Sequence, residues 1–539
     1  MKAAIIGLDG ATFDVIEPLI AEGRLPVLRE LIQNGTSGPL RSTLHPNSFP
    51  GWASCTTGTS EGMHGIFSPF VKLPGKYAFR AMTALDIRTK TVWELLSERY
   101  RSRRQGAVGV VNVPTTYPPI PVEGFLVTGM LTPTMQSQFT YPAELQKKLL
   151  TAVSDYRIEP RRNTDKQSKA VEFRNCMLAH SRAVEYLLKT ASSLPDFLMV
   201  VYSVLDRTQH DFWEDFDPQH HRHDPKSAFK DFIPQMYELI DASVGRLLQL
   251  LPPTTTVLIC SDHGFCASLY EVRVNEWLRA NGYLRYHSGY TFKVRSKISS
   301  LRTRLQGSLS SPSNGWDNAL EKKAERGRAV FEEIDWKHTR VFFGQDRGLW
   351  LNIKGREAEG ICEASDIPKL LDELRDGLLK LTSPIDGLPI FEQVLTREEA
   401  FSGRYACLLP DLIPIIRDPR FVPLEGRSSS GVIIPSSTTS GAHAPYGIFI
   451  AYGDSINRRK RIEGAHLRDV AATALFAMNE PITEDMDGRA LIEIFTSEAL
   501  SARQLVRQGS SYKDSCDDGD HHEDDEEIRE RMRALGYIG

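Results

Sequence analysis

Five short segments carry side chains that hold cations or attack electrophiles. They are Gly7-Leu8-Asp9-Gly10, Asn47-Ser48-Phe49-Pro50-Gly51-Trp52, Asp206-Arg207-Thr208-Gln209-His210, Ser261-Asp262-His263-Gly264 and Gly441-Ala442-His443-Ala444-Pro445. Mixed carboxylate and imidazole donors suit zinc or manganese and do not choose between them. Asp206 and His210 are four apart, so on a helix they share one face. Ser48 stands where Pro50 would begin a helical turn, which places its hydroxyl near free backbone N–H groups. Phe49 and Gly51 are the nearest N–H donors to a phosphoryl group there, because Pro50 has none. Trp52 packs against a substrate or fills the core. Taken singly, each segment has an ordinary reading. An Asp after a strand caps a turn, an Asp/His pair decorates a helix surface, and a lone His bonds to a neighbour.

The elements that must position these groups show in the apolar pattern. Continuous apolar runs at 3–8, 107–113, 197–204, 256–260 and 448–452 have the length and composition of buried strands. Helical patterns at 15–34, 90–100, 169–190, 226–251 and 467–477 separate them. Strands alternating with helices predict an α/β fold with a mostly parallel central sheet flanked by helices. Ligands of such sheets bind beyond the carboxyl ends of the strands. Asp9, Asp206 and Asp262 each fall within two residues of the end of an apolar run, so the fold would gather them at one edge. The polar stretch 112–119 also follows a run and is expected to line the substrate side.

The bulk properties set bounds. The chain has 539 residues, 41% hydrophobic and 25% charged, with net charge −4. That balance suits a soluble globular protein and gives no basic field for a nucleic acid polymer. Seven cysteines at 55, 176, 260, 266, 362, 407 and 516 form no CxxC pair, which argues against a disulfide framework or a thiolate zinc site. The first apolar run is too short for a signal peptide, and no run is long enough to cross a membrane. The cytoplasm is the expected location. No phosphate-binding P-loop is present. The expected division is a catalytic body over 1–508, a lid-like insertion at 285–335, an acidic linker at 509–527 and a short C-terminal helix at 528–539. The insertion is rich in Ser, Arg and Lys. Oligomeric state is not legible.

Order and spacing of the segments resemble the alkaline phosphatase superfamily, in its type I phosphodiesterase/nucleotide pyrophosphatase branch and the phosphohydrolase/phosphomutase group near it. The resemblance is carried by IIGLDGATFDVIEPLI, SFPGWASCTTGTSEGMHG, VYSVLDRTQHDFW, LICSDHGF and GAHAPYGIFIAYG, and extends over most of 1–500. It implies an alkaline phosphatase-like fold and two divalent ions, zinc in the first instance with manganese the alternative. One ion would be held by Asp9, Asp262, His263 and Ser48, the other by Asp206, His210 and His443. The implied reaction is hydrolysis of a small-molecule phosphate monoester or diester, nucleotides included, with Ser48 as nucleophile and a phosphoseryl intermediate. Coordination to a dication favours the serine alkoxide without a histidine base.

The phosphodiesterase pattern Thr-Phe-Pro-Asn-His reads Ser48-Phe49-Pro50-Gly51-Trp52 here. Serine keeps the nucleophile, whereas Gly51 removes an expected donor to the phosphate. A sulfatase of the same fold would need Arg in place of Trp52. A phosphomutase would return the phosphoryl group to an organic acceptor. A metal-free binding protein retaining the fold is the non-enzymatic alternative.

Overall fold

The computed structural model describes residues 1–161, 165–287, 331–437 and 439–513. Ala3–Leu8 is a six-residue strand with every residue buried, as a strand covered on both faces must be. It pairs in parallel with Phe197–Tyr202 on one side and Thr256–Cys260 on the other. The sheet continues outward through Val108–Val113 and Gly124–Thr128, both parallel, to the antiparallel Thr140–Tyr141. Beyond Thr256–Cys260, Tyr446–Tyr452 runs antiparallel, then come Thr36–Arg41 and the short pieces Lys460–Arg461 and Ala465–His466. The sheet has ten strands and is mostly parallel.

Alternate residues of the first strand feed two separate cores. Ala4, Ile6 and Leu8 meet the layer built from Phe13–Ala21, Pro26–Asn34, Lys166–Thr190, Val204–Phe216 and Phe232–Leu248. Ala3 and Ile5 meet the layer holding Ser48–Thr57, Val92–Arg103 and Asp469–Ala477. The period-two geometry of a strand produces this division. The expected sheet and its helical flanks are present.

Three expectations change. The pattern at 15–34 predicts one helix, but there are two. Gly23 takes a left-handed φ of +78° and Pro26 opens the second helix, so the chain turns between them. The helix expected at 226–251 begins only at Phe232. The third difference is larger. Between His263 and Gly441 a second lobe forms with its own core of Trp277, Phe342, Leu351, Leu374 and Phe391. It contains the four-stranded antiparallel sheet Val341–Phe343, Leu349–Leu351, Leu412–Ile416, Phe391–Thr396, and the helix Ile367–Leu379. The apolar runs at 341–343 and 349–353 mark two of these strands in the sequence, but strands of three to six residues are too short for their pairing into a sheet to stand out. Of the expected lid at 285–335, residues 288–330 lie outside the described residues. Of the expected linker at 509–527, residues 509–513 pack against the body. The Ser511 N–H donates to Asp485 (2.8 Å) and Tyr512 bridges to Thr89. The remainder, with the C-terminal helix at 528–539, also lies outside the described residues.

One glycine couples sheet to site. A Cβ on Gly7 would run into the Trp52 ring and lie 2.8 Å from Val201 Cγ2. The absence of a side chain on the first strand is what admits Trp52 beneath the strand's end. Gly7→Ala is expected to lower stability by about 1–3 kcal/mol through overpacking, measured by urea denaturation. A variant as stable as the parent would mean that the indole moves aside at no cost.

Candidate active site

Each segment singled out from the sequence reaches one edge of the central sheet. Asp9 follows the central strand and Asp262 follows its neighbour Thr256–Cys260. Asp206 and His210 sit one turn apart on Val204–Phe216, which starts two residues after Phe197–Tyr202. His443 lies on Gly441–Ala444, which pairs antiparallel with Gly264–Ala267 so that Phe265 faces His443. That small ribbon brings the chain's fifth segment back beside His263. Ser48 begins the helix Ser48–Thr57, capped by the Asn47 side chain, which accepts from the Phe49 N–H at 3.1 Å.

The three imidazoles are oriented alike. Nδ1 of His210 is 2.9 Å from the Gly441 carbonyl, Nδ1 of His263 is 3.0 Å from the Gly264 carbonyl, and Nδ1 of His443 is 3.0 Å from the Pro46 carbonyl. A carbonyl only accepts, so each Nδ1 carries the proton, and each Nε2 presents a lone pair when the ring is neutral. These lone pairs converge. His210 Nε2 is 2.9 Å from His443 Nε2. Asp206 Oδ1, itself only an acceptor, is 3.2 Å from His443 Nε2, 3.4 Å from His210 Nε2 and 4.0 Å from His263 Nε2. Asp262 Oδ2 is 3.2 Å and Asp9 Oδ1 3.8 Å from His263 Nε2. Asp206 Oδ1 and Asp262 Oδ2 are buried without a hydrogen-bond partner. Acceptors facing acceptors inside protein are costly, and a divalent cation removes the cost. Two overlapping groups have ligand atoms close enough to share an ion: Asp206, His263 and His443, and Asp9, Asp262 and His263. The carbonyls on Nδ1 are the outer partners that usually fix metal-ligating histidines.

Crowding shows in the proton affinities. Burial, then the charges of Asp262 and Asp206, hold Asp9 well above the usual carboxylate range. Burial and Asp206 push Asp262 up to about 7. Asp206 goes the other way, well below its ordinary value, because His210 and His443 together outweigh its burial. Burial lowers His263 to about 4 and His443 to about 3.

Ser48 faces this cluster. Its Oγ is 3.3 Å from Asp9 Oδ1 and 3.3 Å from His263 Nε2, and it lines a cavity of 880 Å³ between the two lobes. Phe49 lines the same cavity. Gly51 and Trp52, also expected at the substrate, do not. The Gly51 N–H is spent on the Asn47 carbonyl (2.9 Å), and a Cβ there would sit 3.1 Å from Asp262 Cβ. Trp52 is fully buried, and its Nε1–H donates to Asp9 Oδ2 at 3.0 Å. It orients a carboxylate from behind. The Phe49 N–H is likewise taken by its cap. Residues 112–119 do not line the cavity either; Asn112 is buried and accepts from the Tyr156 hydroxyl.

Cationic residues given no role from the sequence stand around the cavity: Arg41, Arg161, Lys169, Arg207, Arg347 and Arg417. Arg207 was within a quoted motif. Arg347 and Arg417 come from the second lobe, and no spacing rule links them to the metal-type ligands.

A stability test follows from Asp262. Its carboxyl has an affinity near 7 when folded against roughly 3.9 when unfolded. Protonation therefore favours the folded, metal-free state at low pH, and this contribution is lost as pH rises through 7. Metal-free protein is expected to melt lower at pH 8 than at pH 5.5, the difference shrinking in Asp262→Asn. Zinc at pH 8 should raise the melting temperature of the parent. Scanning fluorimetry with and without a chelator reads both, and a flat profile with no zinc shift would show that these groups hold no cation.

The type I phosphodiesterase / nucleotide pyrophosphatase family matches over residues 3–445. Curated proteins give no match. Among solved structures, phosphonoacetate hydrolase from Sinorhizobium meliloti 1021 is 13% identical with a TM-score of 0.51, over 88% of this chain and 95% of that one. The alkaline phosphatase PafA is 12% identical with a TM-score of 0.51, over 92% of this chain and 98% of that one. Human ectonucleotide pyrophosphatase/phosphodiesterase 5 is 12% identical with a TM-score of 0.49, over 92% of this chain and all of that one. The fold is that of the alkaline phosphatase superfamily, and the chain belongs to the type I phosphodiesterase / nucleotide pyrophosphatase family of phosphoryl hydrolases.

Proposed function

We propose that this protein hydrolyses a small-molecule phosphate ester with two divalent ions, through a phosphoseryl intermediate on Ser48. One observation carries the reading. Three Nε2 lone pairs and the orphaned oxygens of Asp206 and Asp262 converge on one small volume, and the Ser48 hydroxyl, at the head of a helix, lies beside it, 3.3 Å from His263 Nε2 and 3.3 Å from Asp9 Oδ1. The donor set fits zinc or manganese. Asp9, Asp262, His263 and Ser48 would hold one ion, and Asp206, His210 and His443 the other. Ions held there would favour the serine alkoxide and neutralise charge on the phosphoryl oxygens.

The chain's own groups account for the rest. The Ser48 hydroxyl donates toward Asp9 Oδ1, which lies ready to receive its proton. The freed oxygen attacks phosphorus, the bond to the leaving oxygen breaks in line, and that oxygen takes a proton from solvent. Water then attacks the phosphoseryl phosphorus from the vacated side and loses a proton to solvent; the bond to the Ser48 oxygen breaks, the phosphate product leaves, and Asp9 returns its proton to the serine oxygen. Trp52 holds Asp9 in place through Oδ2, leaving Oδ1 toward Ser48. Phe49 and the apolar wall at Ile415 and Phe421 offer packing surface to the organic part of the substrate. Trp52 in place of Arg removes the sulfatase modification signal and weighs against that alternative.

Ser48→Ala is expected to retain the parent's metal content while turnover of p-nitrophenyl phosphate and bis-p-nitrophenyl phosphate drops by about 10³-fold or more. Elemental analysis and a chromogenic assay check both halves. Parental turnover in this variant would remove Ser48 from the reaction. A product in which the phosphoryl group moves from 3-phosphoglycerate to the 2-position would replace hydrolysis by transfer.

A further inference from the structure

The basic groups around the cavity are not equivalent. Arg207 Nε lies 3.6 Å from Glu159 Oε2, Lys169 is 2.6 Å from Asp211, and Arg417 is 2.8 Å from Asp386. Arg41 and Arg161 also line the cavity without an ion pair among the described residues, but both are exposed to solvent. Arg347 is partly buried, lines the same cavity, and its guanidinium has no hydrogen-bond or ion-pair partner among the described residues. Burying an arginine without a counter-charge is unfavourable. It shares the cavity wall with His45, whose proton affinity burial and then the Arg347 charge lower. Burial pulls the guanidinium of Arg347 below the usual arginine value, and Glu425 offsets this only in part.

The backbone holds Arg347 there deliberately. It occupies the turn between Val341–Phe343 and Leu349–Leu351 at a left-handed φ of +63°, an unfavourable conformation for a residue with a Cβ. The turn is closed by the Gly344 N–H on the Gly348 carbonyl (2.8 Å) and the Arg347 N–H on the Gly344 carbonyl (3.1 Å). Asp346 is the nearest carboxylate in sequence, but it is committed elsewhere. It accepts from Trp350 Nε1 at 2.8 Å and from the Gly348 N–H at 3.3 Å. The turn is therefore built to present a cation while its adjacent carboxylate is turned away.

We infer that Arg347 is a specificity-determining residue that supplies the substrate's missing counter-ion, pairing with an anionic oxygen of the bound phosphate ester. This rests on the phosphate-ester reading above. The anion has two sources: the extra charge of a monoester's phosphoryl group, or a carboxylate or second phosphate on the organic part. A guanidinium serves either through parallel N–H···O bonds.

Arg347→Gly and Arg347→Lys in the zinc-loaded full chain test the assignment. Glycine suits the left-handed backbone, so its melting temperature should match or exceed the parent's. Calorimetric binding of inorganic phosphate and of phosphonoacetate gives the readout without requiring turnover. Weakening of both ligands by about 30-fold in Arg347→Gly, with partial recovery in Arg347→Lys, would place the contact on the reacting phosphoryl group. Weakening of phosphonoacetate alone would place it on the second anionic group. Affinities within about twofold of the parent for both ligands would overturn the assignment, as would a loss that tracks a fallen melting temperature equally in both variants. If the parent cleaves no phosphate ester yet binds phosphate through Arg347, the hydrolase reading fails and the anion site stands.

Discussion

The site is organised by a charge problem. Three imidazoles turn proton-free nitrogens toward the same small volume, and carboxylates from three different strand ends join them. The donors at its edge, the Ser48 hydroxyl and the Trp52 indole, both serve Asp9 and leave Asp206 Oδ1 and Asp262 Oδ2 without a hydrogen bond. Such an arrangement persists only if the surrounding structure holds it in place and a positive charge compensates it. The holding is visible in detail. Every imidazole is anchored through Nδ1 to a backbone carbonyl, and Asp9 is anchored through Oδ2 to a buried indole. The large sheet supplies rigidity, because its central strands are buried on both faces and cannot shift singly.

This arrangement also explains why the protein tolerates small residues where a side chain would otherwise add core. Gly7 leaves room for the Trp52 ring beneath the strand that ends in Asp9. Gly447 does the same for Ser261, whose hydroxyl accepts from the Ile448 N–H (2.8 Å) and donates to the Ala11 carbonyl (2.9 Å). That bond ties the strand carrying Asp262 to the loop after Asp9. The Asp262 carboxylate reinforces the tie by accepting from the Gly10 N–H at 3.1 Å, directly after Asp9.

Much of this could be read from the sequence, and the reason is physical. Buried parallel strands have a continuous apolar signature, and a ligand at a strand end inherits a position from the strand. Asp9, Asp206 and Asp262 were legible on that account. Ser48, His210 and His443 gained meaning only from order and resemblance, since a lone serine or histidine has no periodic context. Trp52 was ambiguous because an indole suits both a pocket and a core, and only burial together with the Asp9 bond decides. In the second lobe the apolar runs at 341–343 and 349–353 were legible, but the sheet they join was not, because its strands are short and antiparallel. With it went Arg347, whose place depends on a turn geometry that Gly344-Gln345-Asp346-Arg347-Gly348 does not announce.

The two lobes contribute different kinds of constraint. Ligand geometry at the sheet edge is fixed by many bonds within one buried layer, so alteration there disturbs several groups at once. The second lobe borders the cavity through the turn at Arg347, Glu392, and the segment from Ile415 to Leu424. Its core is separate from the two cores of the sheet. A substitution in that turn or segment can therefore change which substrate is accepted without repacking the layers that hold Asp9, Asp206 and Asp262. Chemistry resides where the fold is least free to vary, and selection resides where a change costs the rest of the molecule little.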